Sequence, residues 1–562
     1  MKLSPTCKNC SKTYTIEDED LLFYEKISPT LNGKTHIISP PTLCPDCRLQ
    51  RKMTFRNERS IYKRVCNKCQ KSIISIYSPE NPYNIYCSKC WWSDAWSPLD
   101  YGRDFDFNKT FAENFSQLWK EIPCIGLWLM KDQNSEYNNC CYDLKDSYMN
   151  FCSDMGENIF YNYIVEFCKD MTDCAYAQKS EICYECIDVT GAYQCFFSQD
   201  LENCQDCYFS SDLIGCRKCF GCHGLRHKEG YIFNKKVSDQ EWDTFMKMLR
   251  LTRKNIQHYK NESKKVYLTV PKKAAHISQC ADCTGDYLRN CNNCKNCFDH
   301  TGGEDNKNVI YGIMKSNNVH DSYAFGDLQW AYDIFGGGIG VSTVAFCHFI
   351  LENTSDVYYS IFCQQKSNNL FGCMGLRQKQ YCILNKQYNK EEYEILVARI
   401  IEHMKKTGEW GESFSPSISP YGYNESHAQE CFPLTKEEAL EKGYRWSDYE
   451  IPTSQAQTLK SNELAEDIHD ISDEILTKAI ECEITKKPFK ITKQELEFYR
   501  NFGLSLPRRH PDQRHHDRMS LRNPRKLFER NCMRCSTPIQ TTYSPDRPEI
   551  VYCEKCYLEA VY

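Results

Sequence analysis

Short apolar tracts separated by polar turn residues dominate the middle of the chain, between residues 124 and 405. The tracts at 195–198 and 207–210 combine cysteine with aromatic residues, and Asp, Asn and Gly lie between such tracts. The cysteines also recur at a fixed spacing, since Cys174, Cys195 and Cys216 are each 21 residues apart. A period of about twenty residues is typical of a solenoid, whose stacked turns share columns of like side chains. We therefore predict a β-solenoid with cysteine and aromatic ladders inside.

A longer repeat divides this region into two halves. The segment 220–226 is echoed by 371–377, and each half continues into an amphipathic stretch whose apolar spacing indicates a helix. A capping pattern precedes each helix, with Ser238 before the first and Asn389 before the second. These helices would cover the open solenoid ends, which would otherwise pair with other strands. The apolar positions of the two helices are Trp242, Phe245, Met246 and Leu249, and Tyr393, Leu396, Val397 and Ile400.

Paired cysteines mark both ends of the chain. The pairs at 66–69 and 87–90 are separated by seventeen residues, and the same spacing separates the pairs at 532–535 and 553–556. Two thiolates three residues apart bind one side of a zinc ion, and a second pair completes the tetrahedron. A segment this small buries too little apolar surface to fold alone, so metal binding of about 10–16 kcal/mol would supply its folding energy.

The first four cysteines form a further candidate site. Spacing alone leaves the pairing open, because the pair at 44–47 could join either the pair at 7–10 or the pair at 66–69. The C-terminal copy, residues 482–556, keeps its last four cysteines, whereas the counterparts of the other four are one cysteine (Cys482), one histidine (His510) and two residues that are poor zinc ligands (Thr485 and Gln513). A closed site should survive as a unit. We therefore expect three zinc ions and no tight zinc at Cys482, Thr485, His510 and Gln513. The expected ligands are Cys7, Cys10, Cys44 and Cys47, then Cys66, Cys69, Cys87 and Cys90, and finally Cys532, Cys535, Cys553 and Cys556.

The expected architecture is a multidomain, β-rich α+β chain, in which small treble-clef or zinc-ribbon modules flank a duplicated Cys- and aromatic-rich β-solenoid with capping helices. Within the linker, a short helix is expected at 435–446 and a longer, partly acidic one at 455–480. The expected domains are a double zinc-ribbon module at 1–110, half-solenoids with their capping helices at 124–265 and 275–406, a linker with helices at 407–480, and a zinc-ribbon module with one degraded metal site at 481–562.

The N-terminal motifs resemble a known family. The pattern Cys7-x2-Cys10, then Phe23-Tyr24, then Cys44-x2-Cys47-Arg48 is similar to the "probable zinc-ribbon" family, with its C-x2-C, F-Y and C-x2-C-R motifs. Over most of its length the chain also resembles uncharacterised zinc-ribbon proteins of candidate-phyla (Patescibacteria-type) bacteria. These resemblances imply zinc and a cytoplasmic setting, and they bring no established activity.

Composition supports the same setting. The chain has 562 residues and 37 cysteines, and it shows neither a signal-peptide-type apolar start nor an apolar run of membrane-spanning length. Without an export signal, many cysteines indicate thiolate–metal sites in a reducing cytosol rather than disulfides. We therefore expect a cytoplasmic protein that does not span a membrane.

The net charge of -5 hides basic stretches at 48–71 and 508–534 and an acidic region at 132–212. Basic side chains with interleaved aromatics can follow a phosphate backbone and stack on bases, so nucleic acid, RNA before DNA, is the first candidate partner. A solvated helix, or docking on the acidic region of the same chain, remains an alternative. The candidate residues are Arg48, Arg51, Lys52, Arg56, Arg59, Arg514, Arg518, Arg522 and Arg525.

Signals for catalysis are weak, and whether the protein is an enzyme stays open, with the sequence leaning against it. No HExxH or GxSxG motif occurs, and the adjacent pair Cys222-His223 is a poor thiol–imidazole pair because neighbouring residues seldom face each other. The periodic solenoid cysteines fit buried core thiols better than metal ligands. A protein-interaction scaffold is the second functional hypothesis, and a carbohydrate-active or thiol enzyme on the solenoid is the third.

Overall fold

The computed structural model describes residues 3–450 and 457–562 and divides into two compact units. The first unit is drawn from Met1–Gly126, Ala275–Tyr449 and Arg525–Leu527, and the second from Leu127–Ala274, Glu450–Pro524 and Phe528–Tyr562. The second half-solenoid therefore belongs with the N-terminal module, and the first half-solenoid belongs with the C-terminal one. Each half-solenoid is thus completed by the module that is more distant along the chain.

The first half-solenoid is built from a three-residue backbone repeat. From Cys140 to Asp188, every third residue has φ between about 47° and 58°, whatever its side chain. Strands pair in parallel with a shift of twelve residues, as in the pairs Val165–Ala177 and Cys183–Cys195. Each coil therefore contains four such triplets. The left-handed positions are the corners of the coil, where the Asp, Asn and Gly residues of the sequence are favoured.

The spacing of 21 residues in the sequence is not the coil length, which is twelve. Because 21 is a multiple of three, it keeps each cysteine on an inward-facing position while moving it to another column. The true columns run at twelve residues, and one of them passes through Cys183, Cys195, Cys207 and Cys219. The expected interior of buried cysteine is confirmed, since all four of these thiols are buried in one apolar core.

Alternate strands of each half-solenoid fall into two parallel sheets. Coils of the second half are slightly less regular, with shifts of twelve residues, as in Asn317–Gln329, or thirteen, as in Ser342–Ser355. The strands of the first half are Leu129–Met130, Cys141–Tyr142, Glu157–Phe160, Tyr163–Glu166, Lys169–Thr172, Ala175–Gln178, Glu181–Tyr184, Ile187–Thr190, Tyr193–Phe196, Gln199–Glu202, Gln205–Tyr208, Ser211–Ile214, Arg217–Phe220, His223–Arg226, Glu229–Ile232 and Lys235–Lys236. Those of the second half are Ile277–Ser278, Gly285–Arg289, Cys297–Thr301, Gly303–Glu304, Ile310–Gly312, Ser316–His320, Tyr323–Phe325, Leu328–Tyr332, Phe335–Gly337, Val341–Ala345, His348–Ile350, Ser355–Tyr358, Asn368–Phe371, Gln380–Ile383 and Lys386–Gln387.

A capped helix follows each half-solenoid, as the sequence predicts. Ser238 and Asn389 each accept a hydrogen bond from the amide three residues later, and both caps are reciprocal boxes. The helices of the first unit are Asp18–Ile27, Pro45–Met53, Ser88–Trp91, Phe111–Glu121, Lys390–Thr407, His427–Cys431 and Lys436–Glu441. Those of the second unit are Asp239–Met248, Arg253–Tyr267, Lys493–Phe502, Pro511–Met519 and Glu554–Val561. Short 3-10 turns lie at Pro98–Tyr101, Pro416–Ile418, Tyr423–Glu425, Ser461–Glu463, Ile468–Asp470 and Asp473–Thr477.

The prediction of a long helix at 455–480 is wrong for residues 457–480, which are the part of this segment that the structure describes. Strand Thr458–Lys460 pairs with strand Ala479–Glu481, and 3-10 turns connect them. Polar side chains interrupt the helical pattern, since Asp467 accepts a hydrogen bond from the amide of His469 and starts a separate turn. The remaining short strands are Thr30–Leu31, Lys34–Thr35, Tyr62–Val65, Ser72–Ser75, Ile85–Tyr86 and Cys124–Ile125 in the first unit, and Lys272–Lys273, Pro488–Phe489, Phe528–Asn531, Pro538–Thr541 and Val551–Tyr552 in the second.

Candidate metal centres and the basic helices

The first candidate metal centre joins the chain's first four cysteines. The sulfur atoms of Cys7, Cys10, Cys44 and Cys47 all lie within 4.8 Å of one another. The Cys10 and Cys44 sulfurs are 3.7 Å apart, close to the about 3.8 Å expected between thiolates in a tetrahedral zinc site with bonds of about 2.3 Å. The pair at 7–10 precedes helix Asp18–Ile27, whereas Cys44 and Cys47 begin helix Pro45–Met53. This grouping is the one predicted by comparing the two ends of the chain.

Two further tetrads have a common construction. Cys66, Cys69, Cys87 and Cys90 form one group, with 3.9 Å between the Cys69 and Cys87 sulfurs. In each tetrad a hairpin carries the first cysteine pair, and a short strand followed by a helix carries the second. The C-terminal tetrad is Cys532, Cys535, Cys553 and Cys556, with 3.8 Å between the Cys535 and Cys553 sulfurs.

The backbone around the tetrads favours thiolates. Burial opposes ionisation of Cys7, but amide groups, with Cys44 the largest contributor, outweigh it and lower its pKa to about 6. The pKa of Cys66 is lowered to about 7 in the same way. The pKa of Cys535 falls to about 6, chiefly through the hydrogen bond between its sulfur and the Thr537 hydroxyl, which lie 3.2 Å apart. A metal ligand must be deprotonated, so these three thiols are ready to bind a cation. In the same tetrads burial raises the pKa of Cys44, Cys47, Cys87, Cys90 and Cys556, which would lose their protons when the metal binds. Four thiols also leave no open coordination position, which is the arrangement of a structural rather than a catalytic site.

Cys482, Thr485, His510 and Gln513, the C-terminal counterparts of the first tetrad, do not form a similar cluster. Cys482 accepts a hydrogen bond from the Thr485 amide at 3.4 Å, and His510 Nδ1 accepts one from the Asp512 amide at 3.2 Å. Within residues 3–450 and 457–562, no group of three potential metal ligands includes Cys482. Burial opposes ionisation of Cys482, but amide hydrogen bonds outweigh it and lower its pKa. The absence of tight zinc here stays a prediction.

One further group lies inside the second half-solenoid. Potential ligand atoms of Cys291, Cys294 and His300 lie within 4.8 Å of one another, and all three residues are buried. Both imidazole nitrogens already have protein partners, because Nδ1 lies 3.0 Å from the Gly312 oxygen and Nε2 lies 2.9 Å from the Asn306 amide nitrogen. Each thiol donates to a carbonyl two residues earlier, and the pKa of both thiols is raised. This geometry favours protonated core thiols over a metal site.

The N-terminal basic helix, Pro45–Met53, is packed against carboxylates of its own unit. Arg48 pairs with Asp321 at 2.5 Å, and Lys52 pairs with Asp333. Burial opposes ionisation of Asp321, but Arg48 outweighs it and lowers the pKa of this carboxyl. Arg48 and Lys52 are thus the counter-ions of two aspartates of the second half-solenoid.

The C-terminal basic helix, Pro511–Met519, repeats the arrangement in the second unit. Arg514 and Arg518 both pair with Asp173, whose side chain is 0% exposed. Arg522 pairs with Asp188 at 2.9 Å. Both aspartates are left-handed corner residues of the solenoid, as is Asp321 of the first unit.

None of the nine candidate nucleic-acid residues is exposed. Beyond the pairs already described, Arg51 donates to the Phe414 oxygen at 2.8 Å, Arg56 pairs with Glu58, and Arg525 pairs with Asp299 at 2.9 Å. Arg59 is half-buried. As a set these side chains do not offer a free cationic surface. Docking on the acidic region at 132–212, the alternative considered from the sequence, describes only Arg514, Arg518 and Arg522. Five others pair with carboxylates outside that region: Arg48, Arg51, Lys52, Arg56 and Arg525. Nucleic-acid binding itself stays a prediction.

The side chains of Cys222 and His223 have different hydrogen-bond partners, whereas a second cysteine–histidine pair lies close together. Cys222 donates to a backbone oxygen, whereas His223 Nδ1 lies 2.8 Å from the Ser211 hydroxyl. In contrast, His427 Nε2 lies 3.3 Å from the Cys431 sulfur. The sequence analysis missed this second pair, although its i, i+4 spacing places both side chains on one face of a helix.

Comparisons with known proteins add little. No protein-family model matches the sequence, and no curated protein matches it. A solved structure described as "putative acetyltransferase from Desulfovibrio desulfuricans G20" is 11% identical over 46% of this chain and 68% of that chain, with a TM-score of 0.11. A likeness of this size supports no conclusion. Among the described residues, no helix combines the length and the apolar composition needed to cross a membrane.

Proposed function

We propose that the protein is a zinc-dependent binding scaffold for a protein partner, with zinc-ribbon modules that hold the two half-solenoids in shape. In this proposal each of the three tetrads binds one structural zinc ion, and the resemblance to zinc-ribbon proteins reflects this construction. The setting is a reducing cytoplasm, which suits a chain whose 37 cysteines are all free thiols.

The observation that carries the proposal is the pairing of the basic helices with solenoid carboxylates. Cys44 and Cys47 anchor the start of helix Pro45–Met53, and Arg48 and Lys52 of the same helix reach the solenoid. A metal at the tetrad would thus fix the helix that neutralises buried aspartates. Removing one partner of a buried ion pair lowers the free energy of unfolding by about 3–5 kcal/mol. Zinc would therefore stabilise the solenoid as well as its own module.

Protein binding ranks before nucleic-acid binding because the nine candidate cations are engaged within the chain. The first half-solenoid carries a partly exposed row of mixed charge that joins Lys145, Glu157 and Lys169. Such a rigid surface without one dominant charge suits a protein partner better than a phosphate backbone, which requires accumulated positive charge.

The test uses the tag-free, zinc-loaded full chain. Anisotropy of a fluorescent 20-nucleotide single-stranded RNA is measured at 50 and 200 mM salt, and partner proteins are captured from nuclease-treated extract with and without a chelator. The proposal predicts RNA binding no tighter than the about 10⁻⁶–10⁻⁴ M of non-specific association, and protein capture that survives nuclease and is lost with zinc. Salt-steep nanomolar RNA binding would overturn it.

A second candidate, nucleic-acid binding through the second zinc module, has one supporting observation. Lys63, Lys68, Lys71 and Lys89 surround the tetrad at 66–90 and are exposed. Exchanging Lys68 and Lys71 together for glutamate is then expected to weaken RNA binding and reduce its salt dependence by about two phosphate contacts. An unchanged salt dependence would remove this candidate.

A further inference from the structure

A thiol, an imidazole and two carboxylates meet beside helix His427–Cys431. The Cys431 sulfur lies 3.3 Å from His427 Nε2, and the opposite ring nitrogen, Nδ1, lies 3.5 Å from a carboxylate oxygen of Glu58 and 3.5 Å from one of Glu430. His427 and Glu58 are buried, whereas Cys431 is partly exposed. The order thiol, imidazole, carboxylate is the order that activates a cysteine nucleophile.

The other groups around His427 fix its position and charge. The Tyr323 hydroxyl lies 3.1 Å from Nε2, and the His427 amide donates to the Arg56 oxygen at 2.7 Å. The Arg56 guanidinium pairs with Glu58. Around His427 there are thus three acidic groups, two carboxyls and a thiol, and only one guanidinium. Burial disfavours the imidazolium, but Cys431 and Glu58 outweigh it and raise the pKa of His427. The surroundings therefore favour an imidazolium next to the Cys431 sulfur.

We propose that Cys431 is a nucleophilic thiol that small peroxides oxidise, with His427 as its counter-ion and proton donor and Glu58 as the group that orients the imidazole. The thiolate attacks one peroxide oxygen, so that an S–O bond forms and the O–O bond breaks. The sulfur loses two electrons and becomes a sulfenic acid, whose hydroxyl keeps the proton of the attacked oxygen. The departing hydroxide, which carries the electron pair of the broken bond, takes the proton from His427 Nε2 and leaves as water.

This environment differs from that of another accessible thiol. Cys283 has a comparable partial exposure, but its sulfur donates to the Ala281 oxygen at 3.1 Å and burial raises its pKa. It therefore serves as an internal control in the same molecule. Thiols of the three tetrads are protected when zinc is bound, since metal coordination occupies their lone pairs.

The first test measures alkylation by iodoacetamide between pH 5 and 10 on the zinc-loaded full chain, with the extent at each cysteine read by peptide mass spectrometry. An ordinary thiol of pKa about 8.5 is only about 0.3% ionised at pH 6. Even after allowing for the lower nucleophilicity of a stabilised thiolate, Cys431 is expected to react at least about tenfold faster than Cys283 at pH 6. A Cys431 profile that follows that of Cys283 would overturn the proposal.

The second test adds hydrogen peroxide with dimedone, which traps sulfenates, and compares wild type with His427→Gln. The proposal predicts dimedone adducts at Cys431 in wild type, and at least a tenfold slower formation in His427→Gln at pH 6. Amide exchange of the helix Pro45–Met53 checks that the variant keeps its fold, and the wild-type pH profile decides the matter where it does not. Equal adduct formation in folded wild type and variant, or none at Cys431 in wild type, would refute the assignment.

Discussion

The buried pairing between the C-terminal basic helix and the first half-solenoid gives a prediction of defined size. Asp173→Ala removes the carboxylate that Arg514 and Arg518 share, and all three side chains are no more than 5% exposed. Removing one partner of a buried ion pair costs about 3–5 kcal/mol, because a buried charge is left without that partner. Here Arg514 keeps a longer contact of 3.6 Å with Glu495, whereas Asp173 is the carboxylate with which Arg518 pairs. If this free energy is lost from the packing of helix Pro511–Met519 against the solenoid, the amides of that helix should exchange about 100- to 4,000-fold faster, because each 1.4 kcal/mol changes the exchange rate about tenfold.

Hydrogen exchange read by mass spectrometry separates this effect from a general loss of stability. The control is Asp206→Ala, which removes an aspartate from an equivalent left-handed corner, at φ 53° compared with 56° for Asp173, and so carries the same backbone cost. The helix Pro45–Met53 of the first unit should exchange as in wild type in both variants. Equal exchange at Pro511–Met519 in the two variants would refute the claim that buried pairing holds the helix.

Three further predictions address charge, metal and backbone. Burial opposes ionisation of Glu58, but neighbouring guanidinium and imidazole groups outweigh it and hold its pKa at about 2, below the 4.5 of the free side chain. Urea unfolding should therefore show a deficit for Glu58→Gln that is full above about pH 4.5 and disappears as the pH falls through about 2. A deficit that does not change with pH would contradict this. Cys535→Ser is expected to lower the zinc content by one ion per chain by elemental analysis, and an unchanged content would exclude that tetrad as a site. Gly285→Ala would place a methyl group 1.7 Å from a backbone oxygen and should cost at least about 2 kcal/mol in the same unfolding assay, whereas Gly408→Ala, in open space, should cost only about 1; equal costs would contradict the packing around Gly285.

The sequence predicts the metal centres well because ligand chemistry is local. Each pair of cysteines three residues apart forms one side of a site, and the copy at 482–556 identifies which pairs belong together. The three tetrads are brought together as expected. The capping boxes at Ser238 and Asn389 are equally local, and the structure confirms both.

The coil length could not be inferred, because the three-residue repeat leaves little trace in residue types. Residues with poor propensity for left-handed backbone, such as Tyr161, Phe167 and Ile182, occupy corners alongside Asp and Asn. Stacking of successive coils overrides local preference at these positions. The visible spacing of 21 residues reflects only which inward positions happen to carry cysteine.

Ion pairs between residues that are distant in the chain also could not be predicted from the sequence. A run of Arg and Lys has the same composition whether it faces phosphate, solvent or buried carboxylates, and only the fold shows that Arg48 meets Asp321 and that Arg514 meets Asp173. Likewise, His427 and Cys431 have a helical spacing, but nothing in the sequence connects them with Glu58.

The most direct test of the central claim is the metal content of tag-free protein purified without chelator, determined by elemental analysis together with protein concentration. We predict three zinc ions per chain, held by the twelve cysteines of the tetrads, and solenoid thiols that carry none. Four or more metal ions, or any iron, would make solenoid cysteines ligands and contradict the description of the solenoid interior as an apolar core of buried thiols. Fewer than three would remove the metal from at least one of the modules that the account relies on.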